Sequence, residues 1–213
     1  MLAYVRAMAI VYPNATLTPS KRELMEAWLP TRSWYDGHAD RKPVGSFRFD
    51  DPEGQVGLEG FLLGGEGVPT LFLPLTYRGV ELVGAEEHLV GTTEHSELGP
   101  RWVYDGCADP VFLNELVRAV LTGGTGVDHE YDLGDGPQSG PTSAQVQGSG
   151  SSTDVPLVEA LGCHDEGPLT IVNAGPLEVV VARIVGTYVE AAETLAVTWK
   201  GGNDVVIAGV RPG

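Results

Sequence analysis

His95 and Ser96 are adjacent, with Glu94 and Glu97 beside them, and this set holds the residue types of a serine hydrolase: nucleophile, base and carboxylate. The spacing works against that chemistry. Neighbours along an extended chain point to opposite faces, and an activated serine needs its base within hydrogen-bond reach, usually from a distant part of the sequence. The surrounding GTTEHSELG also lacks the Gly-x-Ser-x-Gly turn of α/β hydrolases. It reads as a turn held by side-chain to backbone hydrogen bonds. Asp36, His38 and Asp40 alternate in WYDGHADR and would share one face of an extended segment, as metal ligands could. Gly37 and the lack of a second ligand cluster favour a solvated loop. Arg32, Arg41 and Lys42 are the densest positive group and could meet an anion or a partner's carboxylates. Cys107 precedes a helix, a setting that can lower a thiol pKa, but with no evident base it reads as inert.

The aromatic residues Trp28, Trp34, Tyr35, Trp102 and Tyr104 pair large apolar area with a hydrogen-bond donor, which suits both cores and interfaces. Trp28 lies on an apolar helical face and reads as core. Trp34, Tyr35 and Trp102, flanked by Arg, Asp or Gly, suit packing and surface recognition equally. The interaction surface expected on these grounds comprises Arg32, Trp34, Tyr35, Asp36, Arg101, Trp102, Tyr104 and Asp105. No catalytic, cofactor-binding or metal-ligating residue is assigned. The sequence holds no GxxxxGK[ST] phosphate loop, no GxGxxG and no HGDxHxxN catalytic loop of the aminoglycoside-phosphotransferase type.

The elements that must position these residues are legible in part. SKRELMEAWLP places Ser20 and Glu23 at capping-box spacing, with Leu24, Ala27 and Trp28 on one helical face and Pro30 as the stop. Val44 to Phe49, Gln55 to Leu63 and Pro69 to Tyr77 alternate or are rich in β-branched and aromatic residues, and turn residues separate them, so an antiparallel meander is predicted. Asp109 caps a second helix with Pro110 at its first position and Phe112, Leu113, Leu116, Val117, Val120 and Leu121 at helical spacing; Gly123-Gly124 ends it. Val127 to Leu133 could form another strand. The stretch at about 134–153, rich in Gly, Ser, Gln and Pro, reads as a flexible loop within a single domain spanning 1–213. Strand periods return over Pro168 to Asn173, Leu177 to Ile184, Thr194 to Trp199 and Val205 to Val210, the last two as a hairpin. MLAYVRAMAIVYP reads as a first strand rather than a secretion signal. Without a strand, helix, strand rhythm, the expected fold is α+β, a curved antiparallel sheet packed on one or two helices, with further C-terminal strands.

Bulk properties narrow the partners. The 213 residues carry 13 basic and 29 acidic side chains, a net charge of -16 that repels nucleic acid and anionic lipid. Only three basic residues, Arg183, Lys200 and Arg211, follow Arg118, so an anionic ligand is expected in the first half. No apolar run approaches the roughly 20 residues of a membrane span. Two cysteines, Cys107 and Cys163, with no export signal, read as reduced thiols in a cytosol.

The order ELMEAWLPTRSWY, QVGLEGFLL, VPTLFLPLTYRG and ELVGAEEHLVGTTEHSELGPRWVYDGCADPVFLNELVRAVLTGG resembles the amino-terminal cap-like domain of actinobacterial maltokinases and related sugar kinases, also found free-standing. The resemblance covers about Ala9 to Gly124 and is most specific over Leu98 to Gly106 with Asp109-Pro110. It implies a cystatin-like arrangement, a curved antiparallel sheet against a helix, without kinase lobes. It also implies a cytosolic, non-catalytic regulatory protein of sugar or glycogen metabolism that docks on a protein in trans, such as a glucokinase or a transport component, with no cofactor. The alternative is a sugar sensor built on Trp34, Tyr35 and Trp102 with Asp36, Asp105 and Glu97; a carboxylate hydrolase ranks last.

Overall fold

The computed structural model describes residues 15–132, 137–159 and 162–213. The strand expected over MLAYVRAMAIVYP lies outside the described residues. In chain order the elements are β1 (Leu17–Thr18), α1 (Lys21–Trp28), β2 (Lys42–Phe49), β3 (Gly57–Gly65), β4 (Val68–Arg78), β5 (Leu89–His95), β6 (Gly99–Asp105) and α2 (Pro110–Thr122). Then come β7 (His129–Asp132), β8 (Pro137–Gly140), β9 (Ala144–Gly148), β10 (Gly162–Glu166), β11 (Leu169–Asn173), β12 (Leu177–Ala182), β13 (Glu193–Trp199) and β14 (Gly202–Pro212). Two six-stranded antiparallel sheets result, ordered β1-β5-β6-β4-β3-β2 and β10-β11-β12-β14-β13-β9, with β7 and β8 as a separate pair. The first sheet is the curled one, and the expected α+β class holds.

The first sheet is buried on both faces, which explains the unbroken apolar runs of β3 and β4. Phe47, Phe49, Leu58, Leu62 and Phe72 point towards α2, while Phe61, Leu63, Leu71, Leu73 and Leu75 join Leu24, Met25 and Trp28 of α1. The α1 cap forms as its sequence predicts: Ser20 Oγ accepts from Glu23 N, and Glu23 Oε2 accepts from Ser20 N at 2.8 Å. Its inward face is Leu24, Met25 and Trp28; Ala27, expected there, is exposed.

Helix α2 lies between the two sheets. Phe112, Leu113, Leu116, Val117 and Val120 are buried in one core with Val146, Val179, Val181, Leu195, Val197 and Ile207 of the second sheet. Each such side chain contributes about 1.5–3 kcal/mol. Asp109 caps the helix by accepting from Val111 N at 2.9 Å, and Gly123 ends it in the left-handed region at φ 67°.

Here the expected flexible loop over about 134–153 needs correction, at least in its second half. Ala144–Gly148 is a strand paired with β13, with Ala144, Val146 and Gly148 inward and Gln145 and Gln147 outward. Beyond it the backbone covers the end of α2: Gly150 N donates to Val120 O at 2.9 Å and Ser152 N to Leu121 O at 2.8 Å. The glycines serve close approach, since a Cβ on Gly148 would come within 1.8 Å of Ala119 O. Residues 133–136 lie outside the described residues.

Backbone bonds also join the sheets directly. Phe72 N of β4 donates to Arg183 O at 2.9 Å, and Val185 N donates to Thr70 O of β4 at 2.8 Å, with Arg183 and Val185 both in the segment that follows β12.

Candidate functional site

The expected interaction residues divide among three places. The first is the β5–β6 hairpin with the loop after β4. Trp102 sits between Arg78 of β4 and Thr92 of β5 in register, and its Nε1 donates to Glu81 Oε1 at 3.2 Å. Leu82 N donates to the Tyr104 hydroxyl at 3.0 Å, which pins the loop over the hairpin. Around this anchor Val80 is 68% exposed, Val83 91% and Leu98 44%. Val80 and Val83 flank Glu81, which holds the indole, and Leu98 lies in the β5–β6 turn, so the hairpin and the loop over it, the Trp102 patch, are rich in exposed apolar side chains. Arg101 donates from Nη2 to Leu98 O at 2.8 Å. The hairpin turn is held as predicted: His95 Nδ1 accepts from Glu97 N at 3.2 Å and Leu98 N at 3.3 Å, and Ser96 Oγ accepts from Thr16 N at 3.1 Å. Burial, with Arg101 nearby, lowers the His95 pKa.

The second place is interior, and it corrects the sequence reading of Trp34, Tyr104 and Asp105 as surface groups. All three are buried. Asp105 Oδ1 accepts from Cys107 N at 3.1 Å, while Oδ2 meets Arg183 Nη2 at 2.5 Å. Arg183 Nε donates to Thr170 Oγ1 at 2.7 Å, which donates to Asp165 Oδ1 at 2.6 Å. The guanidinium lies 5.2 Å from the Trp34 ring, which packs edge-on against Trp28. Burial works against the charge on Arg183, but Asp105 and its anionic neighbours outweigh it and raise the pKa. Arg183 lies far beyond α2 in sequence, directly after β12, and nothing local in VVVARIVG marks it as Asp105's partner. Burial drives the Cys163 thiol up to about 12, with Asp105 adding to it, and raises that of Cys107.

The third place is a cavity at the outer side of α1. Asp36 and Arg41 form a two-pronged pair, Nη1 to Oδ1 at 2.6 Å and Nη2 to Oδ2 at 2.5 Å. That bond to Arg41, opposed by burial, brings the Asp36 pKa down to about 2. Both carboxylate oxygens are therefore engaged, and the alternating Asp36, His38 and Asp40 do not act as a metal grip. Among the described residues no three His, Cys, Asp or Glu side chains gather as a metal site. Tyr35 faces the cavity with the Arg41 guanidinium 5.8 Å from its ring. Arg32 is part-exposed and lies 5.1 Å from the Trp28 ring.

Residues 28–109 match the family model described as the maltokinase N-terminal cap domain. The chain carries a cap-like domain. No curated protein matches the sequence. The matched segment runs from the end of α1 to the cap of α2, so the cap-like domain holds the Trp102 patch, Tyr35, Asp36 and Asp105 but not Arg183. No helix among the described residues is long and apolar enough to cross a membrane.

Proposed function

We propose that the chain is a non-catalytic, cytosolic interaction protein of sugar metabolism, which docks in trans on a sugar kinase through the Trp102 patch of its cap-like domain. The supporting observation is that the segment matching the maltokinase cap carries the part-exposed Trp102 with the exposed Val80, Val83 and Leu98 on the β5–β6 hairpin and the loop packed over it. An anchored, part-exposed indole with exposed apolar side chains on neighbouring segments suits the centre of a protein interface. Acidic neighbours Glu81, Glu86, Glu87 and Glu97 favour a partner face of basic character.

The test is direct binding of the purified chain to a maltokinase freed of its own cap, and to a glucokinase, by biolayer interferometry. Saturable binding to one of them is expected. Trp102→Ala should weaken it by about 2 kcal/mol, about thirtyfold, and Arg101→Ala less, with unchanged circular dichroism. No binding to either kinase, or parental affinity in both variants, would refute the assignment.

A further inference from the structure

A cavity of about 280 Å3 opens between α1 and the start of β2, and the cap-domain match assigns it no ligand. We propose that it binds a neutral hexopyranose, one ring at a time. The inference is independent of the docking surface, and the structure dismantles the sugar site expected from sequence. Neither Trp34 nor Trp102 lines the cavity, Asp105 is committed to Arg183 and Asp36 to Arg41.

The cavity floor is apolar, with Met25, Leu29 and Leu63 all buried, and Tyr35 supplies one aromatic wall. An aromatic face against an apolar floor suits the C–H face of a pyranose ring. Arg22 and Glu26 at the rim bring guanidinium N–H donors and a carboxylate acceptor to the same edge. Hydroxyl groups, which donate and accept, can use both.

Charge selects against ionic ligands. Arg41, 4% exposed, is neutralised by Asp36, and Arg22 Nε meets Glu26 Oε1 at 2.5 Å. A phosphate would have to displace Asp36 to gain Arg41 and would meet the Glu26 carboxylate beside Arg22, on a chain of net charge -16. The wall is also built in advance: Arg41 bonds to His38 O at 3.1 Å and to Pro69 O at 3.1 and 3.2 Å, fixing the loop between Tyr35 and β2. Ligand binding therefore does not have to order that loop. The volume falls just under the roughly 300–1,000 Å3 of small-molecule sites, enough for one ring with a second left outside.

Glucose, galactose and mannose titrated into the full chain at pH 7.5, by calorimetry or ligand-observed NMR, test the proposal, with maltose and glucose 6-phosphate alongside. Saturable binding of at least one hexose is expected, with maltose no tighter than glucose and the phosphate weaker. Tyr35→Ala should raise Kd about tenfold, the order of one lost aromatic face. Glu26→Ala, at an exposed helical position, should also weaken binding and serves if Tyr35→Ala fails to fold. Tyr188→Ala, an exposed aromatic elsewhere, should change nothing. Absence of binding by all three hexoses would overturn the proposal, as would parental affinity in Glu26→Ala and any folded Tyr35→Ala protein. Glucose 6-phosphate binding as tightly as glucose would do the same.

Discussion

Replacing Asp105 by Asn should cost about 3–5 kcal/mol of folding stability, the penalty for leaving a buried charge without its partner. The substitution is chosen because an Asn Oδ1 can still accept from Cys107 N, now 3.1 Å from the Asp105 oxygen, so the turn before α2 keeps its cap. What changes is the atom facing Arg183 Nη2, which turns from anionic acceptor into amide donor. Arg183 is 1% exposed and cannot recover the loss from solvent. Against a total of about 5–15 kcal/mol for a domain, the loss is a third or more.

Adding Arg183→Met removes the stranded charge. The double variant should be more stable than Asp105→Asn alone, with a coupling of about 2 kcal/mol or more. Two features favour that outcome. Thr170 Oγ1 keeps its bond to Asp165, and Arg183 Nη1 is already buried without a hydrogen-bond partner among the described residues, so the pair is imperfectly satisfied. Urea unfolding at pH 7, followed by circular dichroism and by Trp fluorescence, measures all four proteins. Because Asp105 belongs to the first sheet and Arg183 follows β12 of the second, we expect the two probes to report one coincident transition. Additive single losses, a cost below about 1 kcal/mol for Asp105→Asn, or two separate transitions would refute the reasoning.

Gly148→Ala should destabilise by on the order of 3 kcal/mol, the upper part of the overpacking range, because its Cβ meets the Ala119 carbonyl; urea midpoints check this. Asp36, with its folded pKa at about 2 against 3.8, contributes stability that is present above the higher value and lost as pH falls through the lower. The stability difference between the parent and Asp36→Asn should therefore be largest near neutrality and shrink between about pH 4 and pH 2; a flat difference would count against the pair. With both thiols raised by burial, neither Cys107 nor Cys163 should react with iodoacetamide at pH 8 before urea is added, and rapid native alkylation would contradict their placement.

Local rules carried most of the fold. The capping box at Ser20 and Glu23, the Asp109-Pro110 start and the β2–β4 meander depend on residues close in sequence, and each stands where its spacing predicts. The strands β5 and β6 are not legible as strands, because Gly91, Gly99 and Pro100 break their period and leave only a polar, aromatic segment visible. The β9 segment is hidden in the sequence for a different reason. Its composition, few apolar and many small residues, matches that of a disordered linker, but Gly148 and Gly150 are small because α2 passes underneath, and Ala144 and Val146 suffice to fill the inward face. Composition measures how much apolar area a segment brings and is blind to how close its backbone must come to another element.

The site divides along the same line. The partial exposure of Trp102 and Tyr35 is legible in their polar and glycine neighbours. Asp105 and Tyr104 have the same kind of neighbours, yet they follow Trp102 on a strand that runs inward, so three residues of travel carry the chain from the exposed patch to Asp105 and its buried partner Arg183. That short distance has a functional consequence. The proposed docking surface and the joint between the sheets share β6, with Trp102 held by Glu81 at one end and Asp105 by Arg183 at the other. A partner that pulls on the Trp102 patch therefore works against a buried ion pair rather than a loose edge, which suits a surface meant to present a fixed shape.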